Sequence, residues 1–258
     1  MSEELDDSKA PLLDHLIELR RRLLWSVAAL AAAFAGCVYF ARHILEWLVA
    51  PMLAAGQTKV INTEVFGGFI TEIKVAFFAA MMIASPVIAN QIWLFVAPGL
   101  YKKERKAMLP FLMATPVLFT AGASLAYFIA VPLALKFLFG FQGNLGGVTQ
   151  EALPDIGNYL KFMMQFMFGF GFAFLMPVLL MLLETVGIVT RDQLVAARRY
   201  AIVGAFAIAA VLTPPDIGSQ LLLAVPLCLL YELTLIATWF TQRRRKRAED
   251  AEAEAKAT

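Results

Sequence analysis

The sequence predicts an all-α polytopic membrane protein: six transmembrane helices, both termini cytoplasmic, and short fifth and sixth spans. Three observations carry this expectation. Hydrophobic residues make up 60% of the 258 and charged residues only 16%, with mean hydropathy +0.71. A soluble domain is about half apolar and about a quarter charged, so this chain suits a bilayer. Its apolar residues fall in continuous runs rather than alternating, which favours helices over strands in lipid. Finally, its Lys and Arg residues are segregated along the chain, although the formal net charge is only +2.

A crossing helix needs roughly 20 mostly apolar residues, at about 1.5 Å each against about 30 Å of hydrocarbon. The runs lie at about 23–40, 69–97, 108–130, 159–183, 199–212 and 217–240. Together they predict one transmembrane domain over 1–240, followed by a basic then acidic tail over 241–258. The fifth run is too short for a full crossing and must thin the bilayer or sit against other helices. The tail's end, "AEDAEAEAKAT", is low in complexity and expected to be disordered or a frayed helix.

Seventeen of the 22 Lys and Arg residues fall on one expected side. They are Lys9, Arg20, Arg21 and Arg22; Lys102, Lys103, Arg105 and Lys106; Arg191, Arg198 and Arg199; and Arg243, Arg244, Arg245, Lys246, Arg247 and Lys256. The positive-inside bias puts both termini in the cytoplasm. "RRRLLWSVAALAAAFAGC", 20–37, resembles a signal peptide, but its apolar run exceeds the roughly 7–15 residues of a cleaved core. It reads as an uncleaved first helix. Cys37 and Cys228 fall in different runs and read as packing residues rather than a disulfide.

Several chemistries lack their residues. No G-x-x-x-x-G-K-[ST] offers a phosphate loop, and no H-E-x-x-H offers a metal site. His15 and His43 are expected on opposite sides of the membrane, so no metal or cofactor is expected. Ser85 and Ser124 have no histidine base within reach of sequence logic, and hydroxyls in membrane helices usually bond their own backbone. Binding and rearrangement remain, with no catalysis and no nucleic-acid partner.

In "PLLDHLIELRRRLLW", 11–25, Leu12, Leu16, Leu19 and Leu23 share one helical stripe. Asp14, Glu18, Arg21 and Arg22 lie opposite, which describes an interfacial amphipathic helix on membrane lipid. Glu18 and Arg22 have the favoured i, i+4 order for an ion pair. Arg20 projects roughly 160° from Glu18 at about 100° per residue, so one ligand is not expected to touch both directly. In "QIWLFVAPGLYKKERK", 91–106, Pro98 and Gly99 end the second span and Trp93 and Phe95 sit near the interface. Glu104 on its own reads as a solvated charge in a basic loop. In "LTPPDIGSQ", 212–220, Asp216 suits the N-cap of the sixth span, with Gln220 one turn on. The segment "GFQGNLGGVTQEALPDIG", 140–157, reads as a Gly-rich loop whose Asp155 caps the next helix.

Taken together, "HLIELRRRL" (15–23), Ala50–Pro51, "QIWLFVAPGLYKKERK", "RRYAIVGAF" (198–206) and "LTPPDIGSQ" resemble the twin-arginine protein translocase subunit TatC family. The five matches occur in order along nearly the whole chain. The resemblance implies a core receptor that binds twin-arginine signal peptides of folded proteins at its cytoplasmic face. It implies assembly with the single-span subunits TatA and TatB, self-association in a multimeric complex, and export across the bacterial inner membrane driven by the proton-motive force. On the same ground Glu18 and Glu104 would receive the arginine pair, with Phe95 a neighbouring contact and Arg20 needed near the site. Pro51, Asp216 and Gln220 match external positions linked to function or assembly. One position departs: relatives often carry Glu or Gln in the fourth span where this chain has Leu175, beside Met176–Pro177. A small-solute secondary transporter is the alternative, but Asn90, Gln91, Asp216 and Gln220 cluster towards span ends rather than the midplane.

Overall fold

The computed structural model describes residues 3–63, 65–96, 102–140, 143–145, 148–150, 153–185, 187–213 and 216–257. Of these, it describes the side chains of all but 3–15, 93, 96, 102–113, 143–145, 148–150, 185 and 244–257. Pro98, Gly99, Pro214 and Pro215, and the side chains of Trp93 and Glu104, therefore lie outside the described residues. Backbone contacts group the chain into two compact units. One holds Met1–Ala50, Ile61–Pro116 and Asp155–Leu160; the other holds Pro51–Val60, Val117–Pro154 and Lys161–Thr258.

The described elements are α1 (Glu3–Tyr39), α2 (Ala41–Ala54), α3 (Gly67–Val96), α4 (Lys102–Leu125), a π turn (Ala126–Ala130) and α5 (Val131–Phe139). Two short strands follow, β1 (Gly143–Leu145) and β2 (Val148–Gln150), then α6 (Ile156–Thr185), α7 (Arg191–Ala196), α8 (Arg198–Leu212) and α9 (Ile217–Ala257). The strands pair antiparallel, Gly143 with Gln150 and Leu145 with Val148. The expected loop over 140–157 thus contains a small ribbon, where the chain satisfies backbone groups by pairing with itself.

Among the described residues, five helical segments are long and apolar enough to cross a membrane: Leu16–Tyr39, Gly67–Ile92, Ala114–Phe139, Ile156–Glu184 and Ile217–Arg243. The expected fifth span, α8, has 15 residues. At 1.5 Å per residue it reaches about 22 Å, short of about 30 Å of hydrocarbon. The sixth, expected to be short, is not: it is 27 residues of a 41-residue helix. Of the two states expected for the tail, disordered or helical, the backbone is helical to Ala257, through a stretch of alanine and glutamate, both good helix formers.

The third run also continues beyond its expected end at Ala130. The wider π turn precedes Pro132, which sits at the start of α5 where a missing N–H costs little. In α3, Pro86 removes the N–H that would bond the Met82 carbonyl. The Ser85 hydroxyl donates to that same carbonyl at 2.8 Å, which gives this serine a structural task.

The first unit is held by α1 against α3. Cys37, Ala41, Ala76 and Ala80 form its buried cluster, with Leu30, Ala33, Phe34, Ile44 and Ala79 packed around it. Small residues let helix backbones approach closely, which is how helices associate where lipid removes the hydrophobic incentive. Phe34 meets Phe77 edge-on, with centroids 6.1 Å apart. At the far end of this unit Asp155 ties two segments together. Its Oδ1 accepts from the Thr63 amide at 3.1 Å and the Thr63 hydroxyl at 3.0 Å, and its Oδ2 accepts from the Asn158 amide at 3.0 Å. Ile156 N–H donates to the Ile61 carbonyl at 3.1 Å, beside an isolated Ile61–Asp155 bridge. Asp155 is therefore a helix cap, as expected, and also a latch onto the 61–63 segment. The buried Tyr159 hydroxyl donates to the Leu48 carbonyl at 2.8 Å.

The second unit is held by glycines and aromatic rings. A Cβ on Gly122 would collide with the Phe170 carbonyl, and one on Gly171 would lie 2.7 Å from the Phe119 ring. α4 and α6 therefore cross at reciprocal close approaches, each supplying the glycine that admits the other. Phe166 and Phe170 are fully buried, one turn apart on α6. α7 begins with a capping box between Thr190 and Gln193 and is pinned to α9 by the Tyr231 hydroxyl, which donates to the Leu194 carbonyl at 2.7 Å. Arg198 pairs with Glu232 at 3.0 Å. The two thiols, Cys37 and Cys228, are free, as expected.

Two outcomes follow from this packing. Gly122→Ala forces a helix backbone apart, so it should cost about 1–3 kcal/mol and lower the melting temperature in detergent. The hydrogen bonds from the Asn158 and Thr63 amides hold the Asp155 carboxyl below its ordinary range. A lowered folded pKa gives stability that is present above the unfolded value, about 3.9, and lost as pH falls through the folded one. Asp155→Ala should therefore melt earlier than wild type at neutral pH, and the gap should narrow on acidification below about pH 4. Parallel thermal melts of both proteins across pH check this.

Candidate functional site

The charged turn of α1 carries the most organised polar contacts among the described side chains of the first unit's helices. Arg22 bonds one oxygen of Glu18 twice, through Nε at 3.2 Å and an Nη at 2.7 Å. Its other Nη reaches Oε1 of Gln91 on α3 at 3.3 Å. The i, i+4 pair read from spacing is present, and the α1–α3 packing adds the third partner. Arg22 is 25% exposed and Glu18 31%, so both are partly withdrawn from solvent. Around them Ile17, Glu18, Arg21, Arg22, Trp25 and Gln91 line a depression of about 650 Å³. Ile17 and Trp25 are exposed there, as are Leu16, Leu19, Leu23 and Leu24 along the same helix. The arrangement offers a carboxylate beside an apolar helical flank, which suits a ligand that is cationic at one end and apolar at the other.

Arg20 is exposed and faces elsewhere. It lines an adjoining groove with Ile17, Arg21, Leu24, Trp25 and Ala28, sharing Ile17, Arg21 and Trp25 with the first. The angular separation of Glu18 and Arg20 expected from the helical wheel is realised. Phe95 is half-buried near the end of α3, one turn beyond Gln91. Gln91 was not among the site residues expected from the sequence, although its i, i+4 spacing to Phe95 placed both on one face.

Glu104 is the third residue of α4, which begins at Lys102. The stretch "YKKERK" is therefore not a loop: from Lys102 onward it is the first turn of a helix. A carboxylate there is favoured by the unpaired N–H groups and dipole of the helix start. Its four basic neighbours are unfavourable to that dipole, which leaves Glu104 as the residue whose charge suits the position.

In the second unit Asp216 caps α9, with its Oδ1 accepting from the Ser219 amide at 2.7 Å. Gln220, one turn on, donates from Nε2 to the Phe206 carbonyl of α8 at 3.3 Å. Acid and amide thus serve different helices: the acid closes its own N-terminus and the amide ties α9 to α8. The second Asp216 oxygen and the Ser219 hydroxyl are buried without a hydrogen-bond partner. Pro51 is buried inside α2, three residues after the carbonyl that Tyr159 bonds. Leu175 is half-buried on α6. Glu184, nine residues beyond Leu175 near the end of α6, accepts from the Gln242 amide of α9 at 2.8 Å, so it is engaged away from the Leu175 position. Among the described residues no cluster of metal-ligating side chains occurs.

Comparison with known proteins places these features in a family. The family model for TatC, Sec-independent protein translocase protein, matches residues 14–226. The TatC protein of Magnetococcus marinus is 46% identical over 248 residues, covering 95% of this chain and 90% of its own. That of Escherichia coli (strain K12) is 41% identical over 243 residues, covering 93% and 92%. A crystal structure of a twin-arginine translocase receptor, TatC, superposes with a TM-score of 0.78 at 38% identity, over 88% of this chain and 99% of that one. The chain belongs to the TatC family of Sec-independent protein translocase proteins.

Proposed function

We propose that this chain is the receptor core of a twin-arginine translocase in the bacterial inner membrane, with both termini in the cytoplasm. It binds twin-arginine signal peptides of folded proteins, with Glu18 and Glu104 each receiving one arginine and Phe95 packing beside them. The observation that carries this reading is the Glu18 carboxylate, partly withdrawn from solvent and, among the described residues, bonded through one oxygen only, beside exposed Ile17 and Trp25. Family membership supports it. Arg20, in the adjoining groove, serves the site indirectly, and Pro51, Asp216 and Gln220 serve the external side or assembly. TatA and TatB are the partners, further copies of this chain complete the receptor, and the proton-motive force drives export.

Magnitudes define what the ligand must bring. Arginine suits a carboxylate because its planar fork donates two parallel bonds, which a lysine ammonium cannot do. Charge-assisted bonds in partly desolvated sites are worth about 1.5–3 kcal/mol each, so two arginines supply about 3–6. Micromolar affinity needs about 8 kcal/mol. The remainder, about 2–5 kcal/mol, corresponds to about 80–200 Å² of apolar surface at 25 cal/mol per Å². A signal peptide's apolar stretch laid along Ile17, Leu24 and Trp25 is of that order. Recognition therefore reads arginine first and hydrophobicity second.

Photo-crosslinking of a twin-arginine precursor to the membrane-embedded chain tests the reading. Glu18→Ala and Glu104→Ala should each weaken binding about tenfold or more, the equivalent of one charge-assisted contact. Lysine in place of either signal arginine should act in the same direction. Unchanged crosslinking to both variants would refute the assignment.

A further inference from the structure

In the free protein the carboxylate proposed to receive a signal arginine already holds one. Arg22 places two N–H groups on Glu18 Oε1, at 3.2 and 2.7 Å, and a third on Gln91, at 3.3 Å. Arg22 thus occupies one of the two oxygens that an incoming guanidinium fork would bridge, from one turn along the same helix. Gln91 gives Arg22 an acceptor other than Glu18, so a displaced Arg22 is not left without a partner. Arg22 also adds a positive charge where a dicationic ligand must approach.

We propose that Arg22 is a built-in competitor for the arginine-binding carboxylate, setting the affinity threshold a signal must exceed. This rests on Glu18 being an arginine receptor. Apparent affinity falls by the fraction of molecules in which Glu18 is free of Arg22. A partly exposed ion pair of about 0.3–1 kcal/mol makes that penalty about three- to sixfold. The same internal bond must open for every ligand that takes Oε1 of Glu18. Arg22 therefore weakens strong and weak signals by one common factor and leaves their ratio unchanged. It excludes weak signals by lifting the threshold, while the carboxylates themselves distinguish arginine from lysine.

Peptide titrations against the full chain in nanodiscs test this, using fluorescent twin-arginine and lysine-arginine peptides with the same apolar stretch. Arg22→Gln should tighten both by about three- to sixfold, with an unchanged ratio between them. Arg22→Lys, which keeps the charge and loses the fork, should tighten both by less, and it reads the effect independently if the glutamine variant folds poorly. Arg21 lines the same depression and has no carboxylate partner among the described residues. Arg21→Gln removes an equal charge from the same turn and should tighten binding less than Arg22→Gln. Unchanged or weaker binding by both Arg22 variants would overturn the competitor, as would equal tightening by Arg21→Gln, which would mean bulk charge alone. Failure of the wild-type chain to prefer the twin-arginine peptide would instead overturn the receptor reading beneath it.

Discussion

The contact between α1 and α3 is the interaction on which the site depends. Lipid offers helices no hydrophobic gain for associating, so the pair must be held by close packing. Cys37, Ala41, Ala76 and Ala80 are small enough to allow it. That approach carries the charged end of α1 to Gln91, where Arg22 bridges the two helices. A bulky residue at Ala76 or Ala80 would separate them, and the bridge would be lost without any change to the charged turn itself. The geometry of this charged site is therefore set by small apolar residues about three to five turns away.

The same scarcity of water explains how the remaining polar groups are used. Pro86 leaves a carbonyl without its N–H, and the neighbouring serine supplies a donor. Thr213, Thr234 and Thr241 donate to carbonyls one turn back. Gln220 and Tyr231 carry that service between helices, to Phe206 and Leu194. Within a bilayer an unpaired polar group costs several kcal/mol, so each side chain that can reach a carbonyl is placed to do so. Against that background the second oxygen of Asp216, the Ser219 hydroxyl and Arg191 Nε stand out as buried polar atoms without a hydrogen-bond partner among the described residues.

Much of this was legible in the sequence because bilayer thickness and helical rise are fixed quantities. Run lengths marked the long spans and the short α8, and i, i+4 order gave the Glu18–Arg22 pair. The acid before α9 gave its cap. What was missed depends on contacts between distant segments or on local backbone chemistry. Gln91 became a site residue only through packing of α3 on α1. The Asp155 latch needs Thr63, 92 residues away. The continuation through Pro132 needs a π turn that hydropathy does not encode. "YKKERK" looked like a loop because charge hid the start of α4, and the length of the sixth span was underestimated because the basic cluster after it also reads as an ending.

The central claim is that Glu18 makes direct contact with a signal arginine, and a double-mutant cycle tests it most directly. Glu18→Gln in the receptor is combined with glutamine for each arginine of the peptide in turn, and affinities are measured for all combinations. Direct contact predicts a coupling of about 1 kcal/mol or more for one of the two arginines. Additivity within about 0.3–0.5 kcal/mol for both would contradict it, because groups that do not share a contact lose their contributions independently.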